Sequence, residues 1–174
     1  MNNQWWEKLV GGQLAQGDLL PDCHLPVFVD PTPTDDESPR DVEVKKQRLI
    51  VVTQSCDLEN DRVEFVALCP IHTLGEFAEV NQHFANHKNW EQVRRGNQHS
   101  LHMLSSHDHP TYNDASLVVD FGHIVSLPIG YLGDHAESLG DRWRLTSPFL
   151  EHFSQAFARF FMRVGLPSGI PSFK

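Results

Sequence analysis

The chain has 174 residues, 14 basic against 23 acidic, a formal net charge of −9 and 40% apolar residues, which suits one domain with a full core of its own. That charge argues against a nonspecific binder of duplex DNA or of anionic membranes, both of which depend on summed positive charge, and leaves room only for a local basic groove. No apolar run reaches the roughly eighteen residues of a spanning helix, the opening MNNQWWEKLV lacks the basic-then-apolar order of a secretion signal, and three scattered cysteines suit free thiols or a metal site better than a disulfide framework; the expectation is a cytoplasmic protein with no membrane contact.

In chain order, Asn3 as a cap, Trp5, Trp6 and Leu9 as apolar positions and Gly11-Gly12 as a stop predict a short N-terminal helix within residues 1–16. Gly17-Asp18 starts a new element. DLLPDCHLPVFVD then reads as two extended pieces punctuated by Pro21 and Pro26, running into PTPTDDESPRD, a proline-rich acidic surface loop. Val42 and Val44 alternate with Glu43 and Lys45 as an entering strand does, and the core strand 48–54 follows. Val63 to Cys69 is its neighbour, joined through LENDR as an antiparallel hairpin, with Ser55-Cys56-Asp57 shaping a tight loop at the strand end.

From residue 74 to 99 the period changes: Phe77, Val80, Phe84, Trp90 and Val93 predict one or two helices inserted in the sheet, broken near 86–89. HSLHMLSSHDHPTYND is turn-rich, LVVDF and HIVSLPI are short strands around Gly122, and a C-terminal amphipathic helix spans 146–165, capped by Thr146 or Ser147, with Leu150, Phe153, Phe157, Phe160, Phe161 and Val164 on one face.

Gly17-Asp18 at a first strand, QRLIVVTQ at a second, VEFVALCPIHT at a third and VVDFGHIVSLPIGYL towards the end together resemble the MazF/PemK-like toxin fold. The resemblance implies an α+β domain in which 17–73 and 100–130 form a small, strongly bent β-barrel. It also implies single-stranded RNA as substrate, cleaved without metal by an arginine and a threonine. The arginine position falls on Arg48; the threonine position falls on His72, with Thr73 next to it, and Leu49 stands where the family has proline. Asp57 borders the same mouth, so the catalytic set is Arg48, His72, Thr73 and Asp57.

Other constellations compete or add to this. Cys69-x2-His72, with Cys56 and Cys23, is the set a zinc ion would use, but only that one spacing has the short paired form of a structural site, so no cofactor is expected. His83-x3-His87 has chelating spacing on a helix without the glutamate of a zincin. The loop His107-Asp108-His109 offers a general base. His152, Gln155, Arg159 and Arg163 share one stripe of the last helix and, with Arg142, Arg144 and Arg94-Arg95, make a basic surface able to hold the phosphates of a single strand. Cys56 beside Asp57 lacks the positive neighbour that activates a thiol. The reading is a single-stranded RNA binder or metal-independent endoribonuclease, with a non-catalytic protein-interaction module or a zinc-binding module as alternatives. Its partners are RNA or another protein, and a homodimer is allowed.

Overall fold

Four consecutive apolar residues, Leu49 to Val52, can be buried together only if both faces of their strand are covered. In the computed structural model, which describes residues 4–29, 41–60, 62–106 and 116–162, they are. The protein is mixed α+β, with eight strands in one antiparallel sheet ordered β1-β8-β2-β3-β4-β6-β5, and β7 also paired to β4. The strands are β1 (Trp6–Val10), β2 (Asp18–Phe28), β3 (Val42–Val51), β4 (Phe65–Thr73), β5 (Leu101–Ser105), β6 (Ser116–Asp120), β7 (Val125–Pro128) and β8 (Asp141–Leu145). The helices are α1 (Ser55–Glu59), α2 (Leu74–Val80), α3 (His87–Arg94), α4 (Ile129–Ser138) and α5 (Phe149–Phe161).

The two-residue period of the strands sorts their side chains into two cores. Leu19, Ile50, Val52, Cys69 and Ile71 lie on one face with Trp6, Phe121 and Phe153, under the aromatic face of α5. Leu20, Leu49, Val51 and Leu68 lie on the other with Leu58, Leu132 and Ala136, under α1 and α4. A third cluster, Phe77, Phe84, Trp90, Val93, Leu101 and Val118, places the inserted helices over β5 and β6.

The expected pairing of 48–54 with 63–69 is present, antiparallel, with Leu49 opposite Pro70 and Val51 opposite Leu68. Their connection is not a tight hairpin loop: residues 55–59 form α1, whose Leu58 reaches into the core. β6 and β7 run along β4 in succession, Val119 facing Ile71 and Val125 facing Leu68. The ladder between them lapses opposite the stretch holding Pro70, which has no N–H to donate.

The sheet is not closed into a barrel. Its edge strands β1 and β5 are joined by no ladder among the described residues, yet the Trp6 indole N–H donates to the Ser105 carbonyl at 2.8 Å, so the curled sheet brings its edges within reach of one side chain. The expected N-terminal helix is instead β1, laid along β8 with Trp6 opposite Leu145. A helix this short is marginal in water, whereas tryptophan and valine on a free sheet edge gain a complete ladder. β5 and β8 sit where the sequence carried no strand signal, and α4 extends past the strand expected to end at residue 129. The last helix begins at Phe149, and the Thr146 hydroxyl donates to the Gln4 carbonyl rather than capping. The acidic loop at 30–40 lies outside the described residues. No helix among the described residues is long and apolar enough to cross a membrane.

The start of β2 carries the buried charges. Asp18 is fully buried and accepts from the Ala15 N–H at 3.0 Å, from Arg142 Nε at 3.4 Å and from Arg144 Nη2 at 2.9 Å. The remaining guanidinium donors of Arg142 go to the carbonyls of Gly11 and Gln13. Gly17 is required beside it: its φ is +84°, and a Cβ would lie 2.9 Å from Leu150 Cδ1 and 3.1 Å from Leu145 Cβ. Replacing Asp18 by alanine should therefore cost roughly 3–5 kcal/mol, the scale for leaving a buried charge unpaired. Breaking the exposed Lys8–Asp141 pair should cost about 0–1 kcal/mol. Urea unfolding of Asp18→Ala beside Lys8→Ala checks the contrast, and equal losses would refute it.

Candidate functional site

Arg48 and His72 come together because β3 and β4 are antiparallel neighbours: continuing the register from Leu49–Pro70 sets both at the same end of the strand pair. They line one side of a cleft of about 430 Å³ with Lys45, Lys46, Gln47, Asp22, Ile71 and Glu76. Immediately after β4, Thr73 caps α2. Its hydroxyl accepts from the Glu76 N–H at 3.1 Å, and the Glu76 carboxylate accepts from the Thr73 N–H at 2.7 Å. This reciprocal box satisfies two donors that a helix start would leave open. The same carboxylate takes Arg48 Nη2 at 3.2 Å and Nη1 at 3.4 Å, in a forked arrangement. Arg48, Thr73 and Glu76 are thus one connected unit, and the His72 ring sits beside it, 5.7 Å from Phe77.

The electrostatics define the charge states. Burial pushes His72 below the usual histidine value; Glu76 works against this, Arg48 adds to it, and Asp120 and His123 make smaller opposed contributions. Burial on its own would raise the Glu76 carboxyl, but the hydrogen bond from the Thr73 backbone and the Arg48 charge outweigh it and hold the group below the ordinary range. At neutral pH the cleft presents a neutral imidazole beside a fixed guanidinium and an ionised carboxylate, with two lysines at the mouth. A neutral imidazole can accept a proton, and the cations can hold an anionic group.

The other expected residues are elsewhere. Asp57 belongs to α1, at the opposite end of the β3–β4 pair, 3.8 Å from Arg62 Nη1, and so takes no part in the cleft. Thr73 is next to the site, but its hydroxyl is the helix cap. Cys23 and Cys69 are buried on opposite faces of the sheet, and burial, with Asp22 near the one and Asp120 near the other, pushes each thiol up to about 12. Cys56 is exposed on α1. The set Cys23, Cys56, Cys69 and His72 is therefore not assembled, and among the described residues no three His, Cys, Asp or Glu side chains converge as metal ligands would. His83 lies in a 3₁₀ turn and His87 begins α3, so they do not share a continuous helix. His107, Asp108, His109 and Arg163 lie outside the described residues.

The basic stripe divides. Arg142 and Arg144, expected on the surface, turn inward on Asp18, because their alternate positions in β8 face the same side as that buried carboxylate. Arg159 does reach solvent and lines a second cleft with Arg94, Arg95, His99, His152 and Gln155. Sequence reading missed Glu76, although Thr73-x-x-Glu76 before an apolar run has the capping-box spacing, and it missed Lys45 and Lys46, which carried no motif. Comparison of the sequence with protein-family models and with curated proteins returns no match.

Two titrations follow. By NMR, His72 should titrate below the free-histidine value, and its midpoint should rise in Arg48→Ala and fall further in Glu76→Gln; movement in the reverse senses would refute this assignment of the charges.

His102 on β5, half-buried against Phe121 and Phe153, is lowered to about 4 by burial and then by His152. Its folded value lies below its unfolded value of about 6.5. The unfolded chain therefore binds more protons between these values, and stability falls as pH drops from about 6.5 to 4, by up to about 3 kcal/mol from this group. His102→Phe should flatten that part of the pH–stability curve measured by urea unfolding.

Proposed function

We propose that the protein binds single-stranded RNA across the Arg48–His72 cleft and cleaves it without metal, as an endoribonuclease of the PemK-like kind. The observation that carries this reading is the convergence of Arg48 and a neutral His72 on one cleft whose mouth is lined by Lys45 and Lys46. The curl of the sheet, which brings β1 to β5 through Trp6, supports the bent-barrel half of the reading.

In this mechanism a scissile phosphate sits against the Arg48 guanidinium and displaces part of the Glu76 contact. His72 takes the proton of the RNA 2′-hydroxyl as that oxygen attacks the adjacent phosphorus. The 2′-O–P bond forms, the P–O5′ bond breaks, and the departing 5′-oxygen takes a proton from water, leaving a 2′,3′-cyclic phosphate. Arg48 stabilises the charge that grows on the non-bridging oxygens. Glu76 and Thr73 are positioning residues: one holds the guanidinium fork and the other fixes that carboxylate at the start of α2. The overall charge of −9 does not oppose this, since phosphate recognition depends on the local field of Lys45, Lys46 and Arg48.

A second reading, a non-catalytic protein-interaction module, has its own observation. The outer half of the β2–β3 ribbon exposes Phe28, Val29, Val42 and Val44 to solvent.

The deciding measurement is cleavage of unstructured RNA by wild type, Arg48→Ala and His72→Ala, with and without a chelator. Arg48→Ala should lower the rate roughly a hundredfold or more, His72→Ala by a similar factor, and chelation should leave it unchanged. The melting midpoint of Arg48→Ala should stay close to wild type, because the carboxylate it leaves behind is 49% exposed in its side chain and can be rehydrated. A wild-type protein that turns over no RNA but forms a defined protein complex would replace this reading with the interaction module.

A further inference from the structure

A second cleft lies at the free edge of β5, where α3 ends on one side and the polar stripe of α5 passes on the other. Its volume is about 470 Å³ and it shares no lining residue with the Arg48–His72 cleft. The size falls within the roughly 300–1,000 Å³ of small-ligand sites.

Its chemistry is two-sided. Arg94 and Arg95 both bond the carboxylate of Glu91, at 2.7 and 2.8 Å, so two guanidiniums share one negative charge. Arg159 faces them from α5 and has no ion-pair partner among the described residues. Three cations against one carboxylate leave a local surplus of positive charge on a strongly acidic chain. The lining also has an apolar part, from Val93, Leu101, Met103 and Ala156, and holds the imidazole rings of His99, His102 and His152. Guanidiniums suit a phosphate, while flat rings and aliphatic groups suit the face of a base.

We propose that this cleft is a separate nucleotide-binding site, taking the phosphate of a nucleoside monophosphate between Arg159 and the Arg94–Arg95 pair and its base against the imidazole and apolar wall. It does not depend on RNA cleavage at the first cleft, and either reading can fail without the other. Several constraints converge here. The inserted helices are held over β5 by Trp90 and Val93, and α5 is held by Phe153, so arginines from two distant parts of the chain are positioned by two different cores. Arg159 is exposed and belongs to neither core cluster among the described residues, so its removal should leave the fold intact.

The test is calorimetric titration of the full chain with adenosine monophosphate and, separately, with inorganic phosphate, together with amide NMR shifts on nucleotide addition. A single saturable site is expected for the nucleotide, weakening as salt rises, and Arg159→Ala should weaken it at least about tenfold, the scale of losing a charge-assisted hydrogen bond. The shifted amides should belong to residues 93–103 and to α5. Absence of binding, an affinity unchanged by Arg159→Ala, or shifts confined to Lys45–Arg48 and His72 would overturn the proposal. So would inorganic phosphate binding as tightly as the nucleotide, since the apolar wall would then contribute nothing.

Discussion

The buried carboxylate of Asp18 is the constraint around which the rest is arranged. A charge removed from water must be fully partnered, and its partners come from β8, more than a hundred residues later, and from the turn at Ala15. Arg142, committed to Asp18 on one side, uses its other donors on the carbonyls of Gly11 and Gln13. One side chain thereby fixes the chain leaving β1, the start of β2 and the path of β8. The order β1-β8-β2 brings those three together in one sheet layer, with the N-terminal segment lying beside the last strand instead of coiling by itself.

From that corner the sheet extends through β3 to β4, and the register between those strands creates the first cleft. The two-residue period of the strand sends Leu49 and Val51 to one core and Ile50 and Val52 to the other. Arg48 stands one residue before the fully buried stretch, where an arginine can keep its stem among apolar neighbours and its head at the rim. The helix starting at Leu74 then supplies the carboxylate that orients it. The Arg48 contact and the helix cap share the single residue Glu76, so a change that frays the start of α2 also loosens the guanidinium fork.

Much of the central sheet was readable from the sequence. The core strand at 48–54, its antiparallel neighbour, the inserted helices, the strands around Gly122 and the aromatic face of the last helix each carried a local period strong enough to survive folding. What failed did so for identifiable reasons. β1 is set by an edge offered by β8, and β5 by pairing with β6, neither of which leaves a trace in its own residues. Arg142 and Arg144 looked like surface cations because nothing in a linear sequence shows that a carboxylate at position 18 is buried opposite them. Of the candidate site, Arg48 and His72 could be brought together from strand order alone, while Asp57, which follows the C-terminal end of β3, lies at the other end of the pair.

The curl that lets Trp6 reach Ser105 also bears on how the molecule behaves at high concentration. Unpaired strand edges are templates for joining one chain to another. Here the Trp6 indole ties β1 to β5, while among the described residues the outer β2–β3 ribbon, beyond its pairs with β8 and β4, has open edges. That ribbon carries Lys45 and Lys46 on one strand and Pro21 and Pro26 on the other, with a break in register between Leu20 and Cys23. Prolines remove donors, lysines repel a second copy, and the irregularity bends the strand away from any flat template. The residues that give the first cleft its positive mouth thus also discourage edge-to-edge aggregation, and exchanging the two lysines for apolar residues would strip the ribbon of both properties at once.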